Sequence, residues 1–213
     1  ATLKNFTANI HSHTLHLAGD EETESGTADF INNTNPSAAH GNAGAALAFA
    51  VHFDHATTDG KVTSEPDTEI IFDGTRVTIV DNRAKTFHQT TFTGKDGNPA
   101  DVTSLDGPVP LPIGISVADV AKDFKITQGT APAGDTNLVV VKLKPLDPHK
   151  YDYKSIELTV DKKLQLPTKI VLVERSSKDI RTITLTDVAV NTGKAKIPSI
   201  TPPTTPGWSV EIK

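Results

Sequence analysis

Two short histidine clusters are the residues best placed to do chemistry. "HSHTLH" (11–16) gathers three of the chain's eight histidines, and "HFDH" (52–55) adds His52, Asp54 and His55. Imidazole and carboxylate groups ligate zinc and move protons near neutral pH. In an extended strand, residues two apart share a face. His11 and His13 then lie together, His16 falls on the opposite face unless a bulge intervenes, and His52 and Asp54 lie together. A zinc centre needs three or four ligands with supporting partners. Two histidines on one strand fall short of that, so a centre requires His11 or His13 to meet His52 or His55 across a sheet. The simpler expectation puts Phe6, Ala8 and Ile10 inward, His11 and His13 on the wetter side, and "HFDH" at a strand end running into a "TTDG" turn. No bound metal and no cofactor are expected.

Other chemistries find little support. There is no G-x-S-x-G elbow, and "GNAGAA" lacks the Lys-Ser/Thr of a phosphate loop. No cysteine is present, which excludes disulfides, thiolate metal sites and a cysteine nucleophile. Glu21 and Glu22 sit in "GDEETESG" (19–26), which reads as a solvated acidic turn rather than a catalytic carboxylate pair. The net charge of −5, with no basic stripe, argues against nucleic acid as a partner. No run of eighteen apolar residues occurs, so no transmembrane helix is expected. The chain has no methionine, and Ala1 reads as a processed or trimmed beginning. No enzyme is expected.

The elements that would position any site are strands. "ALAFAVHF" (46–53) alternates, with Leu47, Phe49, Val51 and Phe53 on one side. "EIIFDGTRVTIVDNRAKTFHQTTF" (69–92) reads as three strands joined by turns at Asp73-Gly74 and Asp81-Asn82. "TNLVVVKLKPL" (136–146), "KSIELTV" (154–160), "LQLPTKIVLVE" (164–174) and "IRTITLTDVAV" (180–190) form a second meander. Pro167 marks an edge or a bulge. Between the blocks, "SVADVAKDF" (116–124) places Val117, Val120, Ala121 and Phe124 at helical spacing behind an S-x-x-D cap. The loop before it, "GPVPLPIG" (107–114), is set by prolines. "NNTNPSAAHGNAGAA" (32–46) reads as a polar loop, and "IPSITPPTTPGW" (197–208) as an extended tail. One domain spanning 1–213 is expected, mainly β (α+β): a strongly curved antiparallel sheet with a helix on one face.

That arrangement directs attention to apolar surface. Leu47, Phe49, Val51, Phe53, Val77, Ile79 and Phe87 are expected on the inner face, with Val117, Val120 and Phe124 above them. The sheet either packs wholly against the helix or leaves a cleft. A cleft lined mainly by aliphatic side chains suits acyl chains better than flat aromatic ligands.

Several stretches resemble the outer-membrane lipoprotein carrier family, LolA and its receptor relative LolB. They are "KNFTANI" (4–10), "FAVHFD" (49–54), "IIFDGTRVTIVD" (70–81), "PLPIGISVADVAKDFKI" (110–126), "IELTVDKKLQLPTKIVLVER" (156–175), "ITLTDVAVNTGKAKIPSITP" (183–202) and "PGWSV" (206–210). The resemblance implies an unclosed antiparallel β-barrel with a short helical lid over a hydrophobic concave face. It implies a periplasmic, cell-envelope location with a signal peptide removed. It also implies lipid or lipoprotein acyl chains as cargo, envelope membrane proteins as contacts, and a monomer. The family's amphipathic helix before the first strand has no counterpart here and is expected to be absent or trimmed. The family's arginine after the second strand has no match in 32–46.

Three hypotheses follow. The first is a non-enzymatic carrier of acyl chains on the inner face. The second is an envelope sensor or interaction module with a filled core, whose edge strands recruit a protein. The third is a metal enzyme built from His11, His13, His52 and His55.

Overall fold

The computed structural model describes residues 3–32, 47–91 and 117–213. The chain forms β1 (Asn5–Leu15), β2 (Glu21–Asn32), β3 (Leu47–Thr58), β4 (Lys61–Ser64), β5 (Thr68–Phe72), β6 (Arg76–Asp81) and β7 (Thr86–Thr91). After the helix α1 (Val117–Asp123) come β8 (Phe124–Gln128), β9 (Leu138–Pro145), β10 (Tyr153–Asp161), β11 (Leu166–Glu174), β12 (Ile180–Val190) and β13 (Ser209–Ile212).

All strands belong to one sheet in the order β13-β7-β6-β5-β3-β2-β1-β12-β11-β10-β9-β8, with β4 appended to β3. Neighbours are antiparallel except β13, which lies parallel to β7. The two meanders are joined where β1 pairs with β12. Among the described residues the sheet does not close: its ends are β13 and β8. This is the expected unclosed antiparallel architecture with one short helix.

Local chemistry explains the turns. Asp73 Oδ1 accepts hydrogen bonds from the Thr75 and Arg76 backbone N–H groups, and Gly74 supplies φ of 99°. Asp81 caps the next turn by accepting from Ala84 N–H at 2.6 Å. Pro167 sits at a register shift between β10 and β11, outside the pairing of β11 with β12. The missing N–H therefore costs no ladder bond.

Two expectations are corrected. Glu21 to Gly26 are not a turn but the start of β2; the turn is His16–Asp20, closed by a bond from His16 N–H to Asp20 C=O. Phe124 is not in the helix, which ends at Asp123; it opens β8. β13 follows the expected tail of 197–208, over residues to which the sequence reading assigns no element. Of the expected loop over 32–46, Asn32 ends β2; its remainder, the expected loop over 107–114 and the capping Ser116 lie outside the described residues.

Candidate functional site

The inner face is built in lateral rungs. Because opposed residues point to the same side, Phe6, Phe30, Phe49, Phe72 and Val77 form one row across β1, β2, β3, β5 and β6. Phe6 and Phe30 stack with centroids 5.1 Å apart, and Phe49 and Phe72 tilt together at 5.6 Å. The next row runs Ala8, Ala28, Val51, Ile70, Ile79, and the one after runs Ile10, Gly26, Phe53. Across β12 to β8 the same face continues through Ile183, Ile170, Leu158, Leu172, Ile156, Leu143 and Phe124.

These side chains form one buried cluster that includes Phe6, Phe49, Val51, Phe53, Val77, Leu143, Ile156 and Phe124, with Ile79 and Val120 packed against it. The structure thus brings together seven of the sequence-predicted site residues: Phe49, Val51, Phe53, Val77, Ile79, Val120 and Phe124. Leu47 opens β3 opposite Asn32, and its side chain lies outside the described residues.

Phe87 is a correction. It opposes Val80, and Val80 opposes Glu69, so it lies on the outer face. There it is fully buried beside Ile71, Thr78, Val80 and Gln89, with Gln89 Nε2 donating to Thr78 Oγ1 at 3.0 Å. The chain after β12 crosses this outer face. Asn191 N–H bonds Asn5 C=O, Lys196 N–H bonds Asp29 Oδ1, and Ser209 N–H bonds Lys85 C=O. Burial at that crossing pushes the Asp29 carboxyl up, against the opposing pull of Lys196.

Val117 is a second correction. It is 75% exposed and projects to solvent; among the described side chains of α1, Val120 is the apolar one packed against the buried cluster. The helix is held by its last residue. Asp123 accepts from Lys150 Nζ at 2.6 Å and from Tyr151 Oη at 2.8 Å, and these two partners hold its carboxyl below the usual range. The Tyr151 ring lies 4.6 Å from Phe124. Burial, reinforced by the bond to Asp123, pushes the Tyr151 hydroxyl up to about 12.

His11, His13, His52 and His55 lie on the outer side. His11 and His13 share the face opposite Ile10. Asp54 is the extra residue of a bulge between Ser25 and Gly26, so His52 and His55 fall on that same outer face, opposite Thr27 and Ser25. Three of the four are drawn to a nearby carboxylate instead of to one another. His13 meets Glu21 at 3.4 Å, His52 meets Asp67 at 3.0 Å, and His55 meets Asp54 at 2.8 Å. Hydrogen bonding to Asp54 raises the His55 imidazole. Among the described residues no three histidine or carboxylate side chains converge as a metal would require.

A shallow hollow of about 340 Å³ is lined by Ile126, Thr127, Gln128, Val139, Val140 and Val141. It borders β8 and β9 at the sheet's end and is not walled by α1. Sequence reasoning misses it because Phe124 reads as the close of the helix and Lys125–Gln128 are assigned to no element. The alternation of Phe124 and Ile126 with Lys125 and Thr127 is the signal that could have found it. Among the described residues no helix is long and apolar enough to cross a membrane.

No family model matches this chain, and no curated protein does. Solved structures do. An uncharacterized conserved protein from Thermus thermophilus matches over 99% of this chain and 91% of its own, at 9% identity and a TM-score of 0.47. MucB matches over 93% of this chain and 58% of its own, at 14% identity and a TM-score of 0.47. A LolA superfamily protein from Nitrosomonas europaea matches over 94% of this chain and 89% of its own, at 13% identity and a TM-score of 0.35. Each of these is a likeness of fold alone, at 14% identity or less.

Proposed function

We propose that this chain is a non-enzymatic, periplasmic binding protein that takes the acyl chains of a lipid or lipoprotein against the inner face of its open sheet. The observation that carries the reading is the row Phe6–Phe30–Phe49–Phe72–Val77, continued by aliphatic rows across the rest of the sheet. The rows end in polar and charged groups: Ile79 faces His88, which faces Glu211, and Leu172 faces Arg181, whose Nε donates to Ser12 Oγ at 3.2 Å. Burial of apolar surface yields roughly 25 cal/mol per Å², so a few hundred Å² of acyl chain supports micromolar affinity after the costs of ordering. Access requires the packed cluster to part, and the helix held by Asp123 at the β8 end is the element positioned to move.

The test is saturable binding of a fluorescent fatty acid by delipidated protein. Ile79→Asp and Phe49→Asp are expected to weaken it at least tenfold, the first at a half-buried position where the fold survives. No saturation at micromolar probe ends the reading.

One observation favours a second reading, an envelope interaction module with a filled core. The inner-face side chains pack on one another with little exposure, and the hollow lies at a sheet edge rather than beneath α1. In that case the edges of the sheet, not its inner face, meet a protein partner.

A further inference from the structure

β8 is the last strand of the sheet, and among the described residues it pairs only with β9. The groups that it turns away from β9 follow from the ladder. Leu146 N–H donates to Asp123 C=O, and Gly129 N–H donates to Val140 C=O. Hydrogen-bonded pairs alternate along an antiparallel ladder, so they fall at residues 123, 125, 127 and 129. The N–H and C=O groups of Ile126 and Gln128 therefore point away from β9.

The two sides of this edge differ in chemistry. Ile126 and Gln128 lie on the inner face, opposite Leu143 and Val141. Lys125 and Thr127 lie on the outer face, opposite Lys144 and Lys142. Three ammonium groups thus line the outer side, one of them bonded to Glu157 at 3.1 Å. The hollow of about 340 Å³ runs along the same residues. Edge lysines repel a second copy of the same edge, and by the same charge they attract an acidic strand.

The geometry points to β8 as a docking edge that a partner protein's extended segment joins by strand addition, a segment in which acidic residues alternate with apolar ones. Its apolar side chains continue the inner face beyond Ile126, and its carboxylates lie over Lys125 and Lys144. Main-chain bonds to Ile126 and Gln128 give affinity, and the alternation gives specificity. The inference deepens the second reading above and rests on it; it does not depend on acyl binding.

The experiment measures fluorescence anisotropy of a labelled dodecapeptide alternating glutamate and valine, against the whole chain, beside the same peptide with lysine for glutamate. Saturable binding of the glutamate peptide, at least tenfold weaker for the lysine peptide, is expected. Ile126→Pro, which removes an outward N–H, should weaken binding at least tenfold. Lys125→Glu with Lys144→Glu should weaken it at least fivefold. Should a variant fail to fold, hydrogen exchange on the unaltered chain decides: the peptide must slow exchange of the Ile126 and Gln128 amides. Equal binding of both peptides, or binding without that protection, overturns the inference. Protection of β13 instead overturns the β8 assignment and leaves the interaction reading standing. If neither peptide binds, both fall.

Discussion

Phe49 and Phe72 stand opposite each other on β3 and β5, with ring centroids 5.6 Å apart and Phe72 almost wholly buried. The pair is the middle of the phenylalanine row on which the sheet's inner face is assembled. Removing one ring takes away buried area, leaves a cavity and strips the other ring of its contact. Phe72→Ala should therefore cost about 4 kcal/mol. Urea unfolding is the check: the midpoint falls with the slope unchanged. A loss below about 1 kcal/mol would show that the row is not a cohesive core.

Gly26 is required by the bulge beside it. Asp54 is the extra residue in β3, and a Cβ built on Gly26 meets the His52 carbonyl oxygen at 1.8 Å. Backbone on both sides must shift to admit it. Gly26→Ala should destabilise by about 3 kcal/mol, whereas Gly60→Ala meets no atom within 4 Å and loses only what its φ of 71° demands. Thermal unfolding of the two variants separates steric from conformational cost; equal losses contradict the account.

His16 latches two turns together. Its Nδ1 lies 2.9 Å from Asp179 Oδ2, and Leu17 N–H donates to Asp179 Oδ1 at 3.0 Å. The bond to Asp179 raises the imidazole above its ordinary 6.5, and the same bond holds the Asp179 carboxyl below its ordinary 3.8. The histidine's contribution is complete below 6.5 and fades as pH rises through its raised folded value. The carboxylate's contribution is complete above 3.8 and fades as pH falls through its lowered folded value. The latch is strongest between about pH 4 and 6.5. Asp179→Asn should bring the imidazole back toward its ordinary titration, read by NMR. It should also narrow the stability gap to the unaltered chain at pH 8. A gap constant over the whole range would contradict the pairing.

Tyr151 reports on the helix anchor. Its hydroxyl, pushed up to about 12 by burial and by its bond to Asp123, should ionise late in an ultraviolet titration. Asp123→Ala should lower that midpoint and speed amide exchange across 117–123, because the helix loses its tie to Lys150 and Tyr151. Unchanged exchange would mean that Val120 alone holds α1 in place.

The strands are legible where short-range chemistry dictates them. Asp73-Gly74 marks one hairpin, Pro167 marks a bulge, and the alternation of Phe49, Val51 and Phe53 gives the correct inner face. Alternation alone misplaces Phe87, because face depends on register as well. The four residues between β6 and β7 set Asp81 against Thr86. Odd-numbered Phe87 therefore joins even-numbered Val80 on the outer face, where Ile71, Thr78, Val80 and Gln89 are buried as well. Val117 and Phe124 fit one helical stripe in the sequence but not in the fold. Beyond Asp123 the chain extends, because Asp123 is held by Lys150 and Tyr151 and its carbonyl is already bonded by Leu146. The outer-face gathering of His52 and His55 is hidden by the bulge at Asp54, which no local spacing announces.

The central claim is that the inner face opens to an acyl chain. Methyl NMR of delipidated protein titrated with a myristoylated peptide tests it most directly. The account predicts saturable shifts at Val51, Val77, Ile79 and Ile156, with the outer-face methyls of Val80 and Val140 unmoved. Shifts confined to the outer face, or none that saturate, would contradict it.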